Sequence, residues 1–267
     1  MNSDSQYLIG HSHHVCEDYA LSGLYNGLHY AIVADGCSSS QDVDIGARVL
    51  AKSAEGVIRS VYEHHYQPHY YWDIVGKMIV SNAQKTIRSL GVPDTALDST
   101  LLFVIGYEDS PNVNMFAYGD GVFSYYDFDD KLHVIEIEYE SGAPYYLSYR
   151  LDEQRRNGYN QQYPGAVGII HYIENYNGEL EVQNRMEEWT HFELCFSAQP
   201  NGYVSALSDG VKTYKGLDFP NVMKDFMGFK NSQGEFVKRR MNALKRRYDR
   251  DGLKHDDDIS MASIFIG

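Results

Sequence analysis

Five short acidic signals carry the most distinctive chemistry in this chain: Glu17-Asp18, Asp35-Gly36, Gly119-Asp120-Gly121, Ser208-Asp209-Gly210 and Asp256-Asp257-Asp258. Each alone is an ordinary turn sequence. Their joint recurrence beside apolar β runs is harder to assign to turns. Carboxylates gathered at one edge of a sheet sandwich repel one another unless cations neutralise them. The run from Leu28 to Ala34 shows the pattern best: it is short, apolar and alternating, and it stops abruptly at Asp35-Gly36. A glycine after the acid frees the backbone, so the Asp35 carboxylate and a nearby peptide carbonyl can face one cation. Hard oxygen donors with no His or Cys at matching positions select Mg2+ or Mn2+ over zinc.

The elements that must position these acids follow from periodicity. Residues 6–20 read as a first strand carrying Glu17 and Asp18 near its end. A turn around Asn26-Gly27 makes a hairpin with the strand that ends in Asp35. A helix is expected from Gly46 to about His65, with Ala47, Leu50, Ala51, Ala54, Val57 and Ile58 on one stripe. A second is expected from Tyr71 to Leu90, stopped by Gly91 and Pro93. Strands then follow at Ser99–Tyr107, Val113–Tyr118, Val122–Phe128 and Leu132–Glu138, separated by turn residues. Residues 140–190, with Pro144, Gly158, Pro164, Gly165, Asn177-Gly178 and many tyrosines, read as loops and short strands. Phe192–Phe196 and Tyr203–Leu207 read as a hairpin across Gln199-Pro200-Asn201-Gly202, leading into Asp209. Residues 218–250 read as helical, and Ile259–Ile266 as a closing strand.

A chain of 267 residues, 43% hydrophobic, can build one substantial core. With 37 acidic against 23 basic residues, its net charge of −14 argues against nucleic acid or an anionic membrane as a general partner. Cys16, Cys37 and Cys195 are scattered and form no CxxC pair, which indicates neither a disulfide framework nor a zinc knuckle. The first residues lack the basic and apolar stretches of a secretion signal, and nowhere do 18 apolar residues run together. A cytoplasmic protein is expected. The 23 tyrosines suit amphipathic core and rim positions.

The order of these motifs resembles the PPM (PP2C-type) metal-dependent Ser/Thr protein phosphatases over nearly the whole chain. VCEDYA resembles the family's early Glu-Asp motif, AIVADG its Asp-Gly metal strand, and DIGARVLA the helix start after it. DSTLLFVIG resembles the threonine-rich strand, NMFAYGDGVFSYY the Gly-Asp-Ser motif, VSALSDGV the Ser-Asp-Gly motif, and DDDISMASIF the terminal Asp-Asn strand. The resemblance implies an α+β fold, a four-layer α/β/β/α sandwich of two antiparallel sheets flanked by helices. It implies one domain over 1–267, with a flap or insertion at 140–190 and a helical segment at 214–250.

It also implies roles. Asp35 would bridge two Mg2+ or Mn2+ ions, and Gly36 would offer its carbonyl to one. Asp209 and Asp257 would complete the other shell. Asp18 would hold metal-bound water with Glu17 beside it, and Asp120 matches a third, weaker position in some members. A water bridging the two ions would attack phosphoserine or phosphothreonine in line, without a phosphoenzyme. The implied partners are a phosphorylated protein and its cognate Ser/Thr kinase, and the chain is expected to act as a monomer.

Three departures from the family pattern matter. His13 stands where the family often has a phosphate-gripping arginine, and an imidazole lacks that bidentate fork. Cys37 stands where many eukaryotic members have a histidine after Asp-Gly, which points to a bacterial-type enzyme. Gly121 and Asp258 replace a Ser and an Asn, with the neighbouring metal-facing aspartates kept. The rival reading is a catalytically silent PP2C-like binding module; a two-metal nuclease would share the chemistry but not the motif order. His11, His13 and His14 flank the acidic set, where His13 or His14 suits substrate contact. His64, His65 and His69 fit a solvated helix end, and the basic run from Lys238 to Arg247 fits an outer helix face.

Overall fold

Strands buried on both faces dictate the layering. In β3 (Leu28–Gly36) and β4 (Ser99–Tyr107) almost every residue is buried, so each strand must be covered on two sides. One side holds Tyr30, Ile32, Ala34, Leu101 and Phe103. These pack on the apolar stripes of α1 (Val43–Glu63) and α2 (Trp72–Ser89). The other side holds Ala31, Val33, Leu102 and Val104. These meet Phe123, Ile135, Val204, Ala206, Ala262 and Ile264 of a second sheet. The far face of that sheet carries Val122, Val134, Leu207 and Met261 onto α4 (Phe219–Met227) and α5 (Phe236–Arg250). Three stacked cores make four layers, the α/β/β/α sandwich that the motif order implies. The computed structural model describes residues 1–63, 72–163, 167–175, 178–187 and 191–267. His64, His65, His69, Tyr71, Pro164, Gly165 and Asn177 lie outside them.

The smaller sheet runs β10-β5-β4-β3-β2, with β2 at Tyr19–Tyr25, β5 at Asn112–Tyr118 and β10 at Phe192–Ser197. The larger runs β1-β12-β11-β6-β7-β8-β9. Its strands are β1 (Asn2–Leu8), β6 (Gly121–Tyr126), β7 (Leu132–Tyr139), β8 (Val167–Glu174), β9 (Leu180–Glu187), β11 (Tyr203–Leu207) and β12 (Ile259–Phe265). All pairings are antiparallel. Asn26 and Gly27 both adopt positive φ, 49° and 77°, which closes the β2–β3 hairpin as a two-residue turn.

Three expectations need correction. The strand expected over 6–20 is two strands, because after Leu8 the chain leaves the sheet to follow the 255–256 backbone. There His11 N bonds His255 O at 3.0 Å and Ser12 N bonds Asp256 O at 3.2 Å. Phe192–Phe196 and Tyr203–Leu207 are not a hairpin. β10 pairs with β5 in the smaller sheet and β11 with β6 and β12 in the larger, so residues 198–202 cross between layers. Within 140–190 the chain forms a ten-residue helix, α3 (Glu153–Gln162), and two eight-residue strands, β8 and β9. No residue of α3 is buried, so it lacks an apolar stripe; its start is fixed by Asp152, whose Oδ1 accepts from Gln154 N and Arg155 N. The 218–250 stretch, expected to be helical, holds two helices, α4 and α5.

Candidate metal and phosphate centre

The acidic signals converge because the strands that carry them end at one edge of the sandwich. Asp35 lies at the end of β3, paired with Thr100 of β4. Asp18 immediately precedes β2, and Gly36 N donates to Glu17 O at 3.3 Å, tying the two strand ends together. In the larger sheet Asp209 directly follows Ser208 at the end of β11, Asp120 precedes β6, and Asp257-Asp258 precede β12. Leu207 pairs with both Val122 and Met261, so these three ends are neighbours. Ser208 joins the sheets: its buried Oγ donates to Asp18 Oδ2 at 2.6 Å and accepts from Ser260 N at 2.9 Å.

Electrostatics register the crowding. Burial first, then the charges of Asp18, Asp209, Asp120 and Asp257, push the Asp35 carboxyl well above the usual range. Burial pushes Asp120 up to about 7, with Asp209 adding to it. Burial also takes Asp18 to about 7, against the hydrogen bond from Ser208 that pulls it down. Asp257, nearly half exposed, is raised by partial burial and by Asp209. Five carboxyl groups from two sheets therefore share one field.

Glycines shape the floor. A Cβ on Gly210 would lie 1.8 Å from Asp258 O, so only glycine lets the turn after Asp209 meet the turn before β12. A Cβ on Gly36 would come within 2.9 Å of Glu17 O. Asp258 itself staples loops. Its Oδ1 accepts from Gly10 N at 2.6 Å and its Oδ2 from Glu17 N at 2.5 Å. Glu17 Oε2 accepts from Ser38 Oγ at 2.6 Å.

His13 sits among the acids. Its Nε2 lies 3.4 Å from Asp257 Oδ1, and its Nδ1 lies 3.1 Å from Asp258 Oδ2 and 4.0 Å from Glu17 Oε2. Burial works against the imidazolium, but the three carboxylates outweigh it and raise its pKa. His14 is exposed.

Hard-cation binding fits this donor set. The carboxylates supply only oxygen, Asp18 Oδ1 is buried with no hydrogen-bond partner, and the tight Gly36 backbone leaves no room for a side chain. Among the described residues no three His, Cys, Asp or Glu side chains already stand close enough to form a closed shell. The chain presents donors at facing strand ends.

Sequence reasoning did not single out Asp98, which ends the turn Asp94–Leu97 just before β4 and carries the same strand-end signal. Its carboxylate accepts from Ser148 Oγ at 2.6 Å, Ser40 Oγ at 3.0 Å and Arg155 Nη2 at 2.8 Å, while its carbonyl accepts from Cys37 N at 2.8 Å. It thus ties the segment 147–155 to the loop beyond Asp35. Tyr146 also lies by Cys37. Burial, the Cys37 side chain and the charges of Asp120 and Asp35 keep its phenol protonated.

A family model described as protein phosphatase 2C matches residues 10–143. By sequence, no curated protein matches the chain. Among solved structures, the serine/threonine phosphatase PstP/Ppp of Mycobacterium tuberculosis aligns over 98% of this chain and 96% of its own, at 12% identity and a TM-score of 0.54. The PPM Ser-Thr phosphatase MsPP of Mycobacterium smegmatis, crystallised with cacodylate, aligns over 100% and 99%, at 13% identity and a TM-score of 0.53. RsbX in complex with magnesium aligns over 98% and 92%, at 11% identity and a TM-score of 0.50. At these identities the likeness is one of fold.

Proposed function

The chain belongs to the protein phosphatase 2C family, and from that premise we propose that it hydrolyses phosphoserine and phosphothreonine in proteins with the help of Mg2+ or Mn2+. One observation carries the reading: Asp18, Asp120, Asp209 and Asp257 all act on the Asp35 carboxyl from separate strand ends. A set so mutually repelling is stable as anions only around cations. Asp35 and the Gly36 carbonyl would hold one ion, with Asp35, Asp209 and Asp257 holding a second. Asp18 and Glu17 would lie beside them, and Asp120 would serve a third, weaker position. When bound, the ions supply Lewis acidity, neutralising phosphoryl oxygens and making water easier to deprotonate.

The chain's own residues do the rest. His13, whose pKa the surrounding acids raise, brings positive charge to the rim where the phosphate enters. Asp18, whose Oδ2 accepts from Ser208 Oγ, would take a proton from attacking water. Residues 1–267 act as one domain, the 140–190 segment serves as a flap that helps select substrate, and 214–250 is a helical segment beside it. The protein works in the cytoplasm as a bacterial-type monomer opposed by a Ser/Thr kinase. Among the described residues no helix is long and apolar enough to cross a membrane.

His13 also gives the second reading its support. An imidazole engaged with Asp257 and Asp258 offers phosphate no bidentate fork, as a silent binding module would tolerate. Phosphate release from a phosphothreonine peptide, supported by Mg2+ or Mn2+ and stopped by EDTA, is the expected result. Folded protein that releases none with any divalent ion would favour the silent module.

A further inference from the structure

Three elements meet beside the acidic centre, and one arginine lies at their junction. Tyr19 opens β2 directly after Asp18, and Tyr7 stands near the end of β1, paired with Ser260 of β12. Their rings, one from each sheet, are 5.5 Å apart. Arg48, exposed on α1, lies over both: its guanidinium carbon is 5.5 Å from the Tyr19 ring centre and 6.0 Å from that of Tyr7. The start of α1 abuts the metal loop, since a Cβ on Gly36 would lie 3.0 Å from that of Val43. One residue and one ring contact separate the guanidinium from Asp18. That is on the order of 10 Å, the reach of about three residues of extended peptide.

Other cations around the centre are committed to carboxylates. Arg155 holds Asp98 at 2.8 Å, Lys212 holds Glu136 and Glu138 at 2.7 and 2.6 Å, and Lys215 holds Asp256 at 2.6 Å. His13 is enclosed by Glu17, Asp257 and Asp258. Arg48 differs. Among the described residues it makes no ion pair and no hydrogen bond, even with Asp44 one turn earlier on α1; its contacts are the two tyrosine rings.

A cation–π contact engages the charge but none of the N–H donors of a guanidinium. Those donors form a planar fork that matches the two oxygens of a carboxylate. Packing over two rings also restrains the side chain before any ligand arrives, which lowers the entropy lost on binding. Over most of a chain of net charge −14 an acidic peptide meets repulsion. Beside the acidic centre it meets a restrained, unshared cation at the base of α1.

We infer that Arg48 is a specificity residue that binds a carboxylate side chain of the substrate, about three residues from the phosphorylated one, an inference that rests on the proposed action on phosphoproteins. The test uses phosphothreonine peptides with Glu or Gln about three residues to either side, and the same peptides carrying a non-hydrolysable phosphonate, all with Mg2+. Binding of the phosphonate peptides, read by fluorescence anisotropy, should favour Glu over Gln on one side by at least about threefold at low salt. Raising salt from about 0.05 to about 0.5 M should erase most of that preference. Arg48→Met should abolish it, and Arg48→Lys, which keeps the charge but not the fork, should keep part of it. The ratio of kcat/KM between the hydrolysable Glu and Gln peptides should follow the same order. No binding, no preference, a preference for Gln, or a preference indifferent to salt would each overturn the inference. An Arg48→Met chain that unfolds at lower temperature yet keeps the wild-type preference would make Arg48 only a clasp on Tyr7 and Tyr19, and overturn it as well. Selective, Arg48-dependent binding without phosphate release would support the inference and remove the phosphatase reading. Release without selectivity would do the reverse.

Discussion

Ser208→Ala removes a side chain that joins the two halves of the acidic centre. In the wild type its Oγ donates to Asp18 Oδ2 at 2.6 Å and accepts from Ser260 N at 2.9 Å, with all three residues buried. A hydrogen bond to a charged acceptor contributes about 1.5–3 kcal/mol, and an orphaned buried N–H costs about 1–3 kcal/mol. The two losses share one cavity and do not simply add, so a destabilisation of about 2–4 kcal/mol is expected. The pH dependence is the sharper feature. Ser208 pulls the Asp18 pKa down against burial, so its bond is strongest when Asp18 is ionised. The penalty should therefore be larger at pH 8.5 than at pH 6, where Asp18, at about 7, is mostly protonated. Urea unfolding of wild type and variant in EDTA at both pH values measures it. A penalty below about 0.5 kcal/mol, or one equal at the two pH values, would refute the bridging role of Ser208.

Metal-free protein should lose stability as pH rises from 6 to 8, because Asp18 and Asp120 sit near 7 when folded against an ordinary 3.8. Raised carboxyl pKa values mean that the folded form binds protons the unfolded form has released, giving a loss on the order of 1 kcal/mol for each group across that window. Thermal unfolding in EDTA checks the slope, and added Mg2+ or Mn2+ should flatten it. Gly210→Ala should disrupt the turn that carries Asp209, since its Cβ would meet backbone at 1.8 Å. A destabilisation of at least about 1–3 kcal/mol with weakened divalent-ion binding by calorimetry is expected. Arg155→Met removes the partner of the buried Asp98, leaving Ser148 and Ser40 to hold it. Destabilisation of about 1–3 kcal/mol and faster proteolysis within 140–163 are expected, the latter read by limited digestion.

Much of the fold was legible because burial imposes simple periods. The buried strands around Asp35, Thr100 and Leu207 read directly, as did the apolar stripe of α1. The helix α3 was not legible, since a solvated helix with no buried residue leaves only its Asp152 cap as a signal. Sheet membership of β10 was hidden for another reason. A Gln-Pro-Asn-Gly stretch suits a hairpin turn as well as a crossover, and only partners distant in sequence decide between them. At the centre, the acids stood out by type and strand-end position. Ser208 and Asp98 did not, because their importance lies in contacts with residues 190 and 57 positions away along the chain. The mutual effect of five carboxyl groups is likewise a property of the assembled sheets.

The most direct test is phosphate release from a phosphothreonine peptide by wild type, Asp35→Asn and Asp209→Asn, with divalent-ion binding measured on the same samples. Release that requires Mg2+ or Mn2+ in the wild type and falls at least about a hundredfold in both variants, together with weakened ion binding, is expected. Both variants folding normally and releasing phosphate at the wild-type rate would contradict a role for these strand-end carboxylates in catalysis.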